Sequence, residues 1–130
     1  MGRTLFWALI MALCLGVGCE DLLEVEDISG QTVTLLAPSD SVTVAQSNVR
    51  FTWEEVWAAD SYHVQVATPN FANAAQVPVD TLIVLDSLYQ GPQFEKKLGN
   101  STYQWRVKAL NSGYETTFST NFFVVDTTGN

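Results

Sequence analysis

The sequence predicts an all-β fold, in which two antiparallel sheets built from seven strands pack as a sandwich. Short runs of β-branched and aromatic residues recur along the chain, and clusters of turn residues separate them. After the first 30 residues, no stretch of ordinary helix length shows a 3.6-residue period. The predicted strands lie at residues 32–36, 48–53, 61–67, 80–85, 93–97, 102–110 and 117–125.

Apolar and polar residues alternate within these strands, so that each strand has one face for the core. In the second strand Val49, Phe51 and Trp53 share a face, and Arg50 and Thr52 share the other. The third and sixth strands alternate in the same way. The seventh strand contains the run 122–125 (FFVV), which fits either register or burial on both faces.

The first 18 residues have the pattern of a secretory signal peptide with a short helix. Arg3 provides a positive start, and residues 5–17 form an apolar run that is too short to span a bilayer as a helix. The following Gly18-Cys19 resembles the lipobox of bacterial lipoproteins, in which the cysteine is lipidated and becomes the mature N-terminus. This resemblance implies a lipid anchor at Cys19.

The chain after Cys19 is strongly acidic. Loss of Arg3 with the signal peptide leaves five basic and fourteen acidic residues, a net charge of −9. Such a surface repels nucleic acid, which is therefore excluded as a partner. Residues 19–30 are interpreted as a solvated acidic linker that reaches at most about 40 Å when extended. Acids directly after the cysteine also resemble the export signal of surface-exposed lipoproteins in one Gram-negative phylum.

Residues 31–127 resemble a fibronectin type III domain, which has an immunoglobulin-like fold. The stretches that carry the likeness are 51–67 (FTWEEVWAADSYHVQVA) and 98–119 (LGNSTYQWRVKALNSGYETTFS). In that family the tyrosine of the Leu-x4-Tyr corner bonds back to the preceding turn. The resemblance implies that five residues form a structural signature: Trp53, Tyr62, Leu98, Tyr103 and Trp105. Residues 128–130 are a tail.

The sequence offers little for catalysis. His63 is the only histidine, and neither a cysteine nor a nucleophile motif accompanies it in the mature domain. Glu54, Glu55 and Asp60 are interpreted as solvated loop acids, although a carboxylate pair or a hard-cation site is the alternative. We therefore predict a protein that is not an enzyme and has no cofactor or metal.

Loop aromatics provide the candidate binding residues. In a fibronectin-like topology the loops that carry Trp57, Tyr89 and Tyr114 gather at one end of the sandwich, which is also the end where the first strand begins. Exposed aromatic side chains on such loops are good contact residues for proteins or sugars. The alternative is that each ring folds back onto the end of the core, which is the favoured interpretation for Tyr89.

Four Asp-Ser/Thr tripeptides resemble the O-glycosylation sequon of the same phylum. Their hydroxyl residues are Ser41, Thr81, Ser87 and Thr127. Asp-Ser and Asp-Thr pairs are also ordinary turn chemistry, and this alternative remains open.

Two functions are compatible with these features. The first is a lipoprotein of the outer membrane, exposed at the cell surface or on the periplasmic face, whose domain is a scaffold that contacts another envelope protein. The second is a glycan-binding accessory lipoprotein of a polysaccharide-uptake system, in which Trp57, Glu54, Asn111 and Tyr114 contact the sugar.

Overall fold

The structure is a computed structural model that describes residues 24–129. Within that range the chain forms eight strands: β1 (Leu35–Ala37), β2 (Val42–Val44), β3 (Asn48–Trp53), β4 (Ser61–Thr68), β5 (Gln76–Val84), β6 (Gln93–Lys97), β7 (Ser101–Leu110) and β8 (Ser119–Val125). They make a three-stranded sheet in the order β1-β3-β6 and a five-stranded sheet in the order β2-β8-β7-β4-β5. The prediction of an all-β sandwich of two sheets is confirmed.

The predicted number of seven strands is wrong, because β2 lies at residues 42–44, where the sequence predicts no strand, while the first predicted strand is observed as the short β1. The chain leaves β1 at Pro38, which has no N–H to continue a ladder, and then joins the other sheet as β2. β2 pairs in parallel with β8, whereas the other strand pairs are antiparallel. The predicted signal-peptide helix lies outside the described residues.

The core lies between the two sheets and is rich in aromatic side chains. Phe51 makes edge contacts with Trp105 and Phe123, with ring centroids 5.1 and 5.7 Å apart. Trp53 and Tyr62 make a similar contact at 5.6 Å. In β8, Phe123 is buried whereas Phe122 is exposed, so the register that the sequence left open places residue 123 in the core.

Packing against the core begins before the predicted domain start at residue 31. Ile28, which falls within the predicted linker, is completely buried. β5 likewise begins at Gln76, four residues earlier than predicted. Its early part contains Pro78, which is tolerated because β5 is the last strand of its sheet.

Hydrogen bonds of large side chains fix the connections between the sheets. The Tyr103 hydroxyl donates to the carbonyl oxygen of Gly99 at 2.8 Å, which is the bond expected of a tyrosine corner. The Trp105 indole N–H donates to the carbonyl oxygen of Pro38 at 3.2 Å. The indole N–H of Trp53 is also buried, but it has no hydrogen-bond partner among the described residues.

Candidate functional site

Three loops meet at one end of the sandwich, and we call this end the loop pole. They are the β3–β4 loop (residues 54–60), the β5–β6 loop (85–92) and the β7–β8 loop (111–118). The Leu85 amide donates to the carbonyl oxygen of Asp60 at 2.9 Å, and the Asp60 amide donates to that of Leu110 at 2.7 Å. The β3–β4 loop is therefore hydrogen-bonded to the segments that begin the other two.

Trp57 lies at the corner of a tight turn at the tip of the β3–β4 loop. The Ala59 amide donates to the carbonyl oxygen of Val56 at 3.2 Å and closes the turn. Ala58, which follows Trp57, has a φ of 67°, a left-handed conformation that disfavours any residue with a Cβ. Trp57 itself is 68 % exposed, and no ring pair among residues 24–129 includes it. The interpretation that Trp57 caps the core is therefore not supported.

A buried hydroxyl holds this turn on the domain. The Val56 amide donates to the Tyr62 hydroxyl oxygen at 2.8 Å, and both residues are buried. Burial raises the pKa of Tyr62 above its ordinary value, so the hydroxyl stays neutral at physiological pH. Tyr62 therefore connects the core to the turn that presents Trp57.

The Asn111 side chain ties the β7–β8 loop to two other segments. Its amide nitrogen donates to the carbonyl oxygens of Glu26 at 2.8 Å and Ala58 at 3.3 Å. Its amide oxygen accepts from the backbone N–H groups of Gly113 and Tyr114 at 3.1 and 2.8 Å. The nitrogen and the oxygen of the Asn111 side-chain amide thus each make two hydrogen bonds within the fold. Tyr114, on the same loop, is 40 % exposed.

Tyr89 is held more tightly than the other two candidate aromatics. Its hydroxyl donates to Oε1 of Glu55 at 3.0 Å, and its side chain is half-buried. Burial, and then the negative Glu55 carboxylate, raise the pKa of Tyr89 well above its ordinary value. Its ring lines an open groove of about 380 Å³ together with Leu82, Val84 and Leu88.

The segment before β1 also belongs to the loop pole. The Val25 side chain lies against Gly113, and Glu26 accepts the hydrogen bond from Asn111. The described chain therefore begins beside the β7–β8 loop. This agrees with the prediction that the first strand begins at the end of the sandwich that carries the aromatic residues.

The loop pole is uniformly negative. Its segments 24–30, 54–60, 85–92 and 111–118 contain no lysine or arginine, and one of their acids, Glu115, forms an ion pair, with Lys108 at 3.3 Å. The described acidic residues of these segments are Glu24, Glu26, Asp27, Glu54, Glu55, Asp60, Asp86 and Glu115. Trp57 and Tyr114 are thus exposed aromatic side chains on loops whose charged residues are all acidic.

The other predicted site residues have varied environments. The five residues of the structural signature are all buried. Among the candidate glycosylation residues, Ser41, Thr81 and Ser87 are exposed, whereas Thr127 is half-buried and bonded to Asn100 Oδ1 through its amide and hydroxyl groups at 3.1 and 3.2 Å. Cys19 lies outside the described residues.

One polar pair was not predicted. His63 Nε2 lies 2.6 Å from Asp80 Oδ1 on the outer face of the five-stranded sheet, and this hydrogen bond lowers the pKa of Asp80. The two residues lie far apart in the sequence, and the β4–β5 register, which the sequence pattern did not predict, brings Asp80 beside His63. Nearby, the Arg106 guanidinium lies over the ring of Phe71 at 3.9 Å and over that of Phe118 at 4.2 Å.

The described residues hold no group of three or more His, Cys, Asp or Glu side chains arranged to bind a metal. No helix in the same range is long and apolar enough to cross a membrane. Neither a protein-family model nor a curated protein matches this sequence.

Proposed function

We propose that this chain is a lipid-anchored protein of the bacterial outer membrane whose fibronectin type III-like domain is a non-enzymatic module for binding another envelope protein. The observation that carries the proposal is Trp57, which is 68 % exposed on a strained turn that the fold holds in place. Left-handed backbone at a non-glycine residue is a strained conformation that clusters at functional sites. A large apolar side chain held outward at such a turn favours recognition over core packing.

Two features support the family resemblance within this proposal. The order of the strands in the two sheets leaves β3, β4, β6 and β7 in the places expected of a fibronectin-like sandwich. The hydrogen bond from Tyr103 to Gly99 has the form of a tyrosine corner. Both features belong to the scaffold that carries the loop pole.

The proposed anchor would keep the loop pole close to the membrane. Because Val25, Glu26 and Ile28 contact the domain, the proposed anchor at Cys19 lies five residues before the described chain at Glu24, rather than twelve residues before the domain. Five residues span at most about 17 Å when extended. A partner at or near the same membrane is therefore favoured over one on a distant surface.

The negative charge of the loop pole supports a protein partner with a basic surface. The four segments of the loop pole contain eight carboxylates and no lysine or arginine, and an anionic lipid surface would repel them. Sugar binding has less support, because the Asn111 amide is occupied by backbone partners and Trp57 stacks with no second ring among the described residues. Glycan binding is therefore an alternative outcome of the test.

The test is chemical crosslinking and purification of the full lipidated chain from cells, comparing wild type with Trp57→Ala. Phe122→Ala is the matched control, because Phe122 is also an exposed aromatic residue but lies on the outer face of β8. We expect a defined membrane protein to be recovered with the wild type and the control and lost with Trp57→Ala. Equal recovery with all three chains would refute the loop pole as the contact, and retention on a glycan array without a protein partner would favour the sugar-binding alternative.

A further inference from the structure

The free edge of β5 differs from the other three sheet edges of the described domain. β1 and β2 contain three residues each, and β6 ends in the charged residues 95–97. Short and charged strands are the usual protection against pairing with another chain. β5 has nine residues, and Val77, Leu82 and Val84 on it are 48, 54 and 48 % exposed.

The hydrogen-bond pattern shows which backbone groups β5 offers at this edge. The Leu85 amide bonds to the Asp60 carbonyl oxygen, and this pair continues the β4–β5 register that places Val84 opposite Ser61. Bonded and non-bonded pairs alternate along an antiparallel ladder. Asp80, Leu82 and Val84 therefore direct their N–H and C=O groups away from β4, to the free edge.

Pro78 agrees with this assignment. It lies at the register shift between the pairs Val66–Val79 and Thr68–Gln76, and an edge strand or a bulge is where a strand tolerates a nitrogen without hydrogen. The Val84 carbonyl oxygen already accepts from the Asp86 amide at 2.9 Å. The groups available for pairing are thus concentrated between residues 80 and 84.

We propose that β5 pairs with β5 of a second copy of this chain, antiparallel, about a two-fold axis at Leu82. This inference goes beyond the proposed function and does not depend on it, because the pairing uses the side of the sandwich. In this register Leu82 lies opposite Leu82 of the second copy, and Asp80 lies opposite Val84. The five-stranded sheets of the two copies then form one continuous sheet of ten strands.

The charges on the strand favour this register. An axis at Asp80 would place two carboxylates directly opposite each other, which is destabilising. An axis at Val84 would place Leu82 and Asp80 opposite residues 86 and 88, which lie in the β5–β6 loop and not in the strand. The axis at Leu82 avoids both, and it places the exposed Leu82 side chains of the two copies opposite each other on the outer face of the sheet, with each Val84 opposite an Asp80.

The charge of the whole domain favours an antiparallel second copy as well. The acidic loop pole lies at the end of the sandwich where β5 terminates. Antiparallel pairing places the two loop poles at opposite ends of the joined sheet, whereas parallel pairing would bring them side by side.

The test is disulfide crosslinking of the full chain under mild oxidation. Residues opposite each other in a hydrogen-bonded antiparallel pair have Cα atoms about 5.5 Å apart, within the range of a disulfide. We expect Leu82→Cys to give a covalent dimer on a non-reducing gel. The unsubstituted parent chain and Leu36→Cys on exposed β1 are the controls, and neither should give a covalent dimer on the same gel.

A second pair of variants tests the register. Asp80→Cys and Val84→Cys should each crosslink poorly alone and readily when the two are mixed. Sedimentation of the parent chain should show a non-covalent dimer, which Leu82→Lys converts to a folded monomer. A monomeric parent chain, or equal crosslinking of Leu82→Cys and Leu36→Cys, would overturn the proposal, and a dimer that persists in Leu82→Lys would overturn this interface.

Discussion

Removal of the Tyr62 hydroxyl is expected to destabilise the domain more than removal of the Tyr103 hydroxyl. Tyr62→Phe keeps the buried ring but deletes the acceptor of the Val56 N–H. Val56 is buried, so water cannot replace the lost partner. A buried donor left without a partner costs about 1–3 kcal/mol.

Tyr103→Phe is the matched comparison, because it also deletes one hydroxyl from a buried ring. Its lost partner is the carbonyl oxygen of Gly99, which is an exposed residue that water can reach. The expected cost is therefore that of an ordinary hydrogen bond, about 0.5–1.5 kcal/mol. For a domain of about 100 residues, each kcal/mol lowers the melting temperature by about 4–8 °C.

Urea unfolding followed by tryptophan fluorescence measures both free energies of unfolding, and hydrogen exchange measures the protection of the Val56 amide. We expect Tyr62→Phe to have the lower unfolding free energy and a much faster exchange of Val56. An equal or smaller loss than in Tyr103→Phe, with the amide still protected, would refute the conclusion that this hydroxyl holds the Trp57 turn.

Three further predictions follow from individual contacts. Ala58→Gly relieves a left-handed conformation and should raise the unfolding free energy by about 0.5–1 kcal/mol in urea, whereas a loss would show that the turn is not strained. Trp105→Phe should destabilise more than Trp53→Phe in the same assay, since only the Trp105 N–H has a partner among the described residues, and the reverse order would contradict that difference. The hydrogen bond from His63 lowers the pKa of Asp80, so its stabilisation is present above the unfolded pKa of about 3.9 and is lost as the pH falls through the lower folded pKa. His63→Ala should therefore flatten the loss of stability below about pH 4, and an unchanged acid slope would argue against the pair.

The alternation of apolar and polar residues predicts the buried positions correctly where one face of a strand is buried and the other is exposed to solvent. In β3 and β7 it identified the buried positions, including Trp53 and Trp105, because their outer faces carry polar side chains. In β8 the outer face itself carries Phe122, so hydrophobicity alone could not choose the register that buries Phe123.

Local sequence patterns did not predict the contacts between residues that are far apart in the chain. β2 is three residues long and pairs with a strand about 80 residues away, so it leaves no periodic signal. Ile28 lies among acidic residues that indicate a linker, yet it is buried in the core. The sequence also could not predict whether the Trp57 side chain is exposed, because its exposure depends on how the turn at Ala58 is oriented.

The contacts of residues 24–30 determine where a mechanical load would enter the domain. In the proposed anchored state, tension on the tether acts first on Glu24 and then on the hydrogen bond between Glu26 and Asn111. The Asn111 side-chain amide also donates a hydrogen bond to the carbonyl oxygen of Ala58, which is the residue that follows Trp57. Pulling on the anchor would thus strain the presenting turn before it reaches the ladders of either sheet, and a partner bound at Trp57 would be sensitive to drag on the cell envelope.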